Sequence, residues 1–220
     1  MLKKHVTLGV LSFILLAAVL ILAIIIYQQH LHKPNMLSQE RLVDLRKEYL
    51  AYNEDPPFTS MDRPTFESIM ERSETVVIGE VVSELPEYTV ELVKPGTTDQ
   101  VIDDKAKSQG LSNSTASFKQ YELKVIKHVA GETVEDTIPI VYNAAFVGYE
   151  PALKPGMSII TGIAKGKDVH EGKYFFTRFG TYYIVDDQYV LSAVDDGFSK
   201  TMNGRTLDDL IDRILEIFER

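Results

Sequence analysis

The chain has 220 residues, with 23 Lys+Arg against 32 Asp+Glu and a net charge of −9. Residues 1–37 hold three of the bases and no acid, so the remaining 20 bases face 32 acids and the rest of the chain stands at −12. Such a surface is a poor partner for nucleic acid, whose affinity comes mainly from neutralising phosphates, and for anionic lipid. There is no cysteine, which excludes disulfides, zinc–thiolate sites and lipoprotein acylation.

Residues 8–27 read LGVLSFILLAAVLILAIIIY, without a charge. At about 1.5 Å per residue a helix of this length spans roughly 30 Å, the thickness of the hydrocarbon layer. A cleaved signal peptide would have an apolar stretch of roughly 7–15 residues ending in small residues. This run ends in Ile24, Ile25, Ile26 and Tyr27. The expectation is an uncleaved transmembrane anchor at 8–27. Lys3 and Lys4 keep residues 1–7 in the cytoplasm, and the rest of the chain lies outside.

Residues 28–63 are expected to form a stalk and a juxtamembrane helix. Pro34 lies in the stalk, and Leu42, Leu45, Tyr49 and Tyr52 make one helical stripe over 38–52. A second short helix is predicted over 64–71, with Asp62 as its cap and Phe66, Ile69 and Met70 on one face. Strands are predicted over 76–82, 88–93, 118–129, 137–142, 157–164, 174–179, 182–186 and 189–193, separated by Gly, Pro and Asp turn signals. Gly79 within the first of them suggests a bulge or tight bend. Residues 94–116 are rich in Gly, Ser, Thr, Asp and Lys, without periodicity, and read as a mobile loop. A closing helix follows Thr206, with Leu207, Leu210, Ile211, Ile214, Leu215 and Phe218 on one apolar face that should pack on the strands.

The stretch 64–186 resembles a domain of exported bacterial proteins. The matching parts are Ser73-Glu74-Thr75-Val76-Val77-Ile78-Gly79-Glu80-Val81, Tyr121-Glu122-Leu123-Lys124-Val125-Ile126-Lys127, Leu153-Lys154-Pro155-Gly156-Met157 and an aromatic hairpin through Gly180. The pattern is similar to OB-like barrels and, distantly, to netrin/TIMP-like domains. The resemblance implies a mainly β fold with some α, a small OB-like β-barrel over 64–205 with flanking helices, and an extracytoplasmic setting. Those domains depend on disulfides and an N-terminal cysteine, which this chain lacks, so their protease inhibition does not carry over.

No motif declares a chemistry. His170-Glu171-Gly172-Lys173-Tyr174 has tyrosine where a zinc-protease helix needs its second histidine, and the stretch ending Gly166-Lys167-Asp168 has threonine at the first glycine position of a phosphate loop. His30 and His32 alone make a weak metal site. The acidic pairs Asp186-Asp187 and Asp195-Asp196 sit at turns and are expected to serve them. The aromatic stretch of Tyr174, Phe175, Phe176, Phe179, Tyr182, Tyr183 and Tyr189 reads as core and cross-strand packing, since base stacking on an OB-like barrel would need a basic groove. No catalytic residue, metal or cofactor is expected. Phe146, Val147 and Tyr149 are apolar residues on a connection, and they are the candidate contact for a partner.

Three functions remain open: a non-enzymatic binding module of the bacterial cell envelope, an envelope hydrolase whose residues spacing does not reveal, and a structural accessory of a membrane complex. The expected partners are the membrane, through residues 8–27, and an envelope protein, with no nucleic acid. Limited proteolysis should cut first within 94–116, and a short Gly/Ser replacement of that stretch should leave the melting temperature nearly unchanged. A large drop would show that the loop is packed.

Overall fold

The structure is a computed structural model, and it describes residues 35–57, 63–91 and 115–220. The expected anchor at 8–27 and His30 and His32 lie outside the described residues, as do residues 94–114 of the expected loop. Residues 36–220 form one compact unit. Among the described residues no helix is long and apolar enough to cross a membrane.

The unit is mainly β. Seven strands, β1 (Thr75–Glu91), β2 (Thr115–Gly131), β3 (Thr137–Asn143), β4 (Ser158–Lys165), β5 (Tyr174–Phe175), β6 (Thr181–Val185) and β7 (Tyr189–Ser192), make one sheet. Its order is β1-β2-β3-β5-β4-β6-β7, and β1 also pairs with β4. The first five strands thus return on themselves as a partly closed ring. The β3–β5 seam is parallel and involves only Ile140 and Val141. Pro139, which has no N–H to donate, directly precedes that seam.

β1 is one strand where two were expected. Its first four residues, Thr75-Val76-Val77-Ile78, are buried on both faces, because β2 lies on one side, β4 on the other, and apolar layers lie above and below. Val77 and Val81 point into the ring with Tyr121, Leu123, Ile138, Ile140, Ile159 and Tyr183. Val76 and Ile78 point the other way, to Ile160, Tyr182 and Val190. Gly79 lies at a register shift between β1 and β2. A Cβ there would sit 2.7 Å from Leu123 Cγ and 2.8 Å from the Lys124 carbonyl, so the strands can approach this closely only over a glycine.

Helices cover the outer apolar layer. They are α2 (Phe66–Arg72), α3 (Gly197–Met202) and α4 (Leu207–Phe218). The first is capped by Thr65, whose side chain accepts from Ser68 N; Asp62 lies outside the described residues. α3 was not expected from sequence, since a six-residue segment with one buried methionine shows no period. In α4 the Thr206–Asp209 capping box satisfies two backbone donors. Leu210, Ile214 and Ile217 are buried against the sheet, with Ile217 taking the place expected for Leu215.

Residues 36–57 run over the other end of the unit. Only Gln39–Leu45 is helical (α1), shorter than the expected 38–52. Leu45 is buried in the ring-side core, and Arg46 donates to the carbonyls of Tyr49 and Ser192 and to Asp195. Those bonds fix the strap after the helix has ended, and Tyr49 packs on Tyr183 at 5.4 Å.

Two substitutions test this account. Gly79→Ala should cost about 1–3 kcal/mol through overpacking. Leu210→Asp should cost several kcal/mol, on the order of a buried unpaired charge. Chemical denaturation measures both, and near wild-type midpoints would mean that the β1–β2 crossing is loose or that the α4 face is not buried.

Candidate functional site

After β3 the chain does not turn directly into β4. Asn143 Oδ1 accepts from Ala145 N at 2.9 Å and starts a short 3-10 turn over Ala144–Phe146. Gly148 then takes φ +88, a left-handed conformation that glycine adopts without strain. Tyr149 N and Glu150 N both return to the Phe146 carbonyl at 2.9 Å. This local folding sets Phe146, Tyr149 and Glu150 close together. Phe146 is half-buried and packs against the ring-side core, Tyr149 is half-buried, and Val147 is 52% exposed.

A second turn meets this one. The sequence placed a turn at Gly180 but carried the strand on to Phe179, whereas the strand ends at Phe175 and residues Arg178–Gly180 form a 3-10 turn. It is held by Thr181 Oγ1, which donates to the Thr177 carbonyl at 2.8 Å and lies 2.8 Å from Thr161 Oγ1. Arg178 is only 3% exposed. Its Nη1 faces the carbonyls of Tyr52 (2.9 Å), Glu54 (2.6 Å) and Tyr149 (3.0 Å). Its Nη2 donates to Asp55 Oδ1 at 2.8 Å. Three acceptors converge on a nitrogen with two hydrogens, so one bond is shared. The guanidinium also lies 4.6 Å from the centroid of the Phe179 ring.

Between the two turns, Asp55, Pro56, Arg63 and Pro64 lies a pocket of about 200 Å³. Phe146, Tyr149 and Phe179 contribute aromatic surface to it, as Pro56 and Pro64 contribute apolar surface. Glu150, Thr177, Arg178, Asp55 and Arg63 are its polar lining. Glu150 Oε1 accepts from Thr177 Oγ1 at 3.0 Å, and Oε2 accepts from Arg178 N at 2.5 Å. Burial pushes the Glu150 carboxyl up to about 7, against the pull of those two hydrogen bonds and of the Arg178 charge. Asp55 moves the other way. The hydrogen bond from Arg63 Nε at 2.8 Å, with the charges of Arg63 and Arg178, holds it below the usual carboxylate range.

The structure therefore brings Phe146 and Tyr149 to one pocket and leaves Val147 at its exposed flank. Sequence reading missed Asp55, Glu150 and Arg178. One signal was present: Arg178 interrupts an aromatic run, and a lone cation there must be buried with partners or project away. The other residues singled out do structural work. Asp186 and Asp187 adopt positive φ at a turn, and Asp186 pairs with Arg41 at 2.7 Å. Asp195 accepts from Arg46 and Asn203. His170 packs between Phe118 and Phe175, with Nδ1 2.8 Å from the Tyr88 hydroxyl. Among the described residues no three His, Asp or Glu side chains gather as a metal site would require.

In comparison with known proteins, no family model matches the chain and no curated protein matches it.

The raised Glu150 carboxyl has a stability consequence. The folded state holds this proton up to about 7, whereas a free glutamate loses it near 4.5. Folding is therefore favoured at low pH, and that contribution is lost as pH rises from about 4.5 through 7, by on the order of 3 kcal/mol. His170, lowered by burial, works in the opposite sense, so the comparison must be between variants. Glu150→Gln should be more stable relative to wild type at pH 8 than at pH 5 in urea melts. Parallel pH profiles would mean that Glu150 is ionised in the fold throughout.

Proposed function

We propose that the protein is a membrane-anchored binding module of the bacterial cell envelope, with residues 8–27 as its anchor and an OB-like barrel outside. Supporting the barrel reading is the order of pairings, in which five strands return from β4 to β1 with a weak seam at β3–β5, as in a partly open five-stranded barrel. Supporting the binding reading is one observation above all. The two connections at Phe146–Tyr149 and Arg178–Phe179 meet to make a concave site, which combines aromatic walls with a few convergent polar groups. The −12 charge outside residues 1–37 argues against a nucleic-acid ligand.

A second reading has its own support. Asp55, held ionised, and Glu150, raised to about 7, line the same pocket with their acidities pushed apart, as in acid–base pairs of hydrolases. Under that reading Glu150 is the general acid and Asp55 the base or stabilising carboxylate.

Protease added to intact protoplasts should remove the C-terminal domain, and its protection would reverse the orientation. Crosslinking from native membranes should capture a partner that Tyr149→Ala loses by about 2 kcal/mol or more without a change in melting temperature. Tyr149 suits this test because Arg178 is held by its carbonyl, not its ring, whereas Phe146 also packs on the core. Capture unaffected by Tyr149→Ala would move the contact elsewhere. Turnover of a wall or peptide substrate abolished by Glu150→Gln, with binding retained, would establish the hydrolase instead.

A further inference from the structure

We propose that the pocket between Phe146–Glu150 and Thr177–Phe179 is a subsite for one neutral sugar ring; this rests on the reading of that pocket as a ligand site. Size limits the occupant first. About 200 Å³ is below the range of pockets that enclose drug-sized ligands, and it suits a single ring.

Charge then narrows the class. A cation would enter beside two guanidinium groups, Arg63 and Arg178, whose one carboxylate partner here, Asp55, they already share. An anion would approach an acidic domain at −12. It would also find Arg63 Nε bonded to Asp55 and Nη2 to the Asn53 carbonyl, and Arg178 committed to three carbonyls and Asp55. A purely apolar group would strip water from Asp55, Arg63 and Glu150 without replacing its hydrogen bonds, which is costly.

What remains is a neutral ligand with an apolar face and several hydroxyls. A sugar ring has both. Its C–H face can lie on the aromatic lining of Tyr149 and Phe179. Its hydroxyls can donate to the Asp55 carboxylate and exchange hydrogen bonds with the Glu150 carboxyl and the Thr177 hydroxyl. The polar groups are held before the ligand arrives: Thr177 and Arg178 N fix both Glu150 oxygens, and Arg63 and Arg178 fix Asp55. Little ordering is left to be done on binding. The same chemistry accepts a free monosaccharide or the terminal residue of a wall glycan.

The test uses the full chain in a zwitterionic, sugar-free detergent, since a glycoside detergent would compete. Saturation-transfer NMR is run with glucose, N-acetylglucosamine, acetate, methylammonium and N-acetyl-tyrosinamide. At least one sugar should bind saturably in the millimolar range and be weakened tenfold or more in Tyr149→Ala, whose melting temperature stays at the wild-type value. Sedimentation with insoluble wall glycan, reversed by that sugar, identifies the polymer as source; its absence, with monosaccharide binding intact, identifies the free sugar. Saturable binding of acetate, methylammonium or the tyrosine derivative in place of the sugars overturns the proposal. So does sugar binding that survives Tyr149→Ala unchanged, or no sugar binding to the folded chain. If a protein is still captured through Tyr149 in that last case, the pocket remains a binding site and only its assignment to sugar falls.

Discussion

β1 is hydrogen-bonded on both edges and buried on both faces over Thr75–Ile78. The one polar side chain there, Thr75, donates its hydroxyl to the Ala130 carbonyl, a polar replacement of Val76, Val77 or Ile78 would meet an apolar layer instead, and a one-residue shift of register would exchange the two apolar layers. Val77 and Val81 commit one face to the interior of the ring; Val76 and Ile78 commit the other to the layer under α2 and α4. Because β4 closes against this strand, β6 and β7 follow as its extension, and everything that packs on them is placed in turn.

Arg178 does for the loops what β1 does for the strands. A buried guanidinium is costly unless its hydrogens are taken up, and here residues 52–55 and 149 take up those of Nη1 and Nη2. Only Nε is buried without a hydrogen-bond partner. The strap that crosses the domain, the loop after β3 and the turn before β6 are thereby tied to one side chain. Removing it would leave several carbonyls unpaired at once.

The same arrangement makes the pocket chemically uneven. Asp55 gains two cationic partners and stays ionised, while Glu150, nearer the interior, receives only a backbone N–H, a hydroxyl and a more distant share of the Arg178 charge. Burial wins for Glu150 and loses for Asp55. Two carboxyl groups in one small space with opposed acidities can serve recognition or proton transfer, so binding and turnover must be separated by experiment on Glu150.

The predominance of strands, the position of most of them, the capped α4 helix and the turn glycines were legible in the sequence, because each depends on local period or on a backbone conformation that few residues adopt. The apolar connection at Phe146, Val147 and Tyr149 was legible for the same reason: such residues are conspicuous between strands. What the sequence could not contain was the meeting of residues 55, 150 and 178, which are far apart along the chain and come together only when the ring forms. The merging of two expected strands into β1 was also hidden, since Pro86 reads as a break and is tolerated where β1 pairs on one side alone. Local pattern determines which elements form and which face is apolar; the long-range pairing of β4 with β1 and the burial of one arginine decided which polar groups share a site.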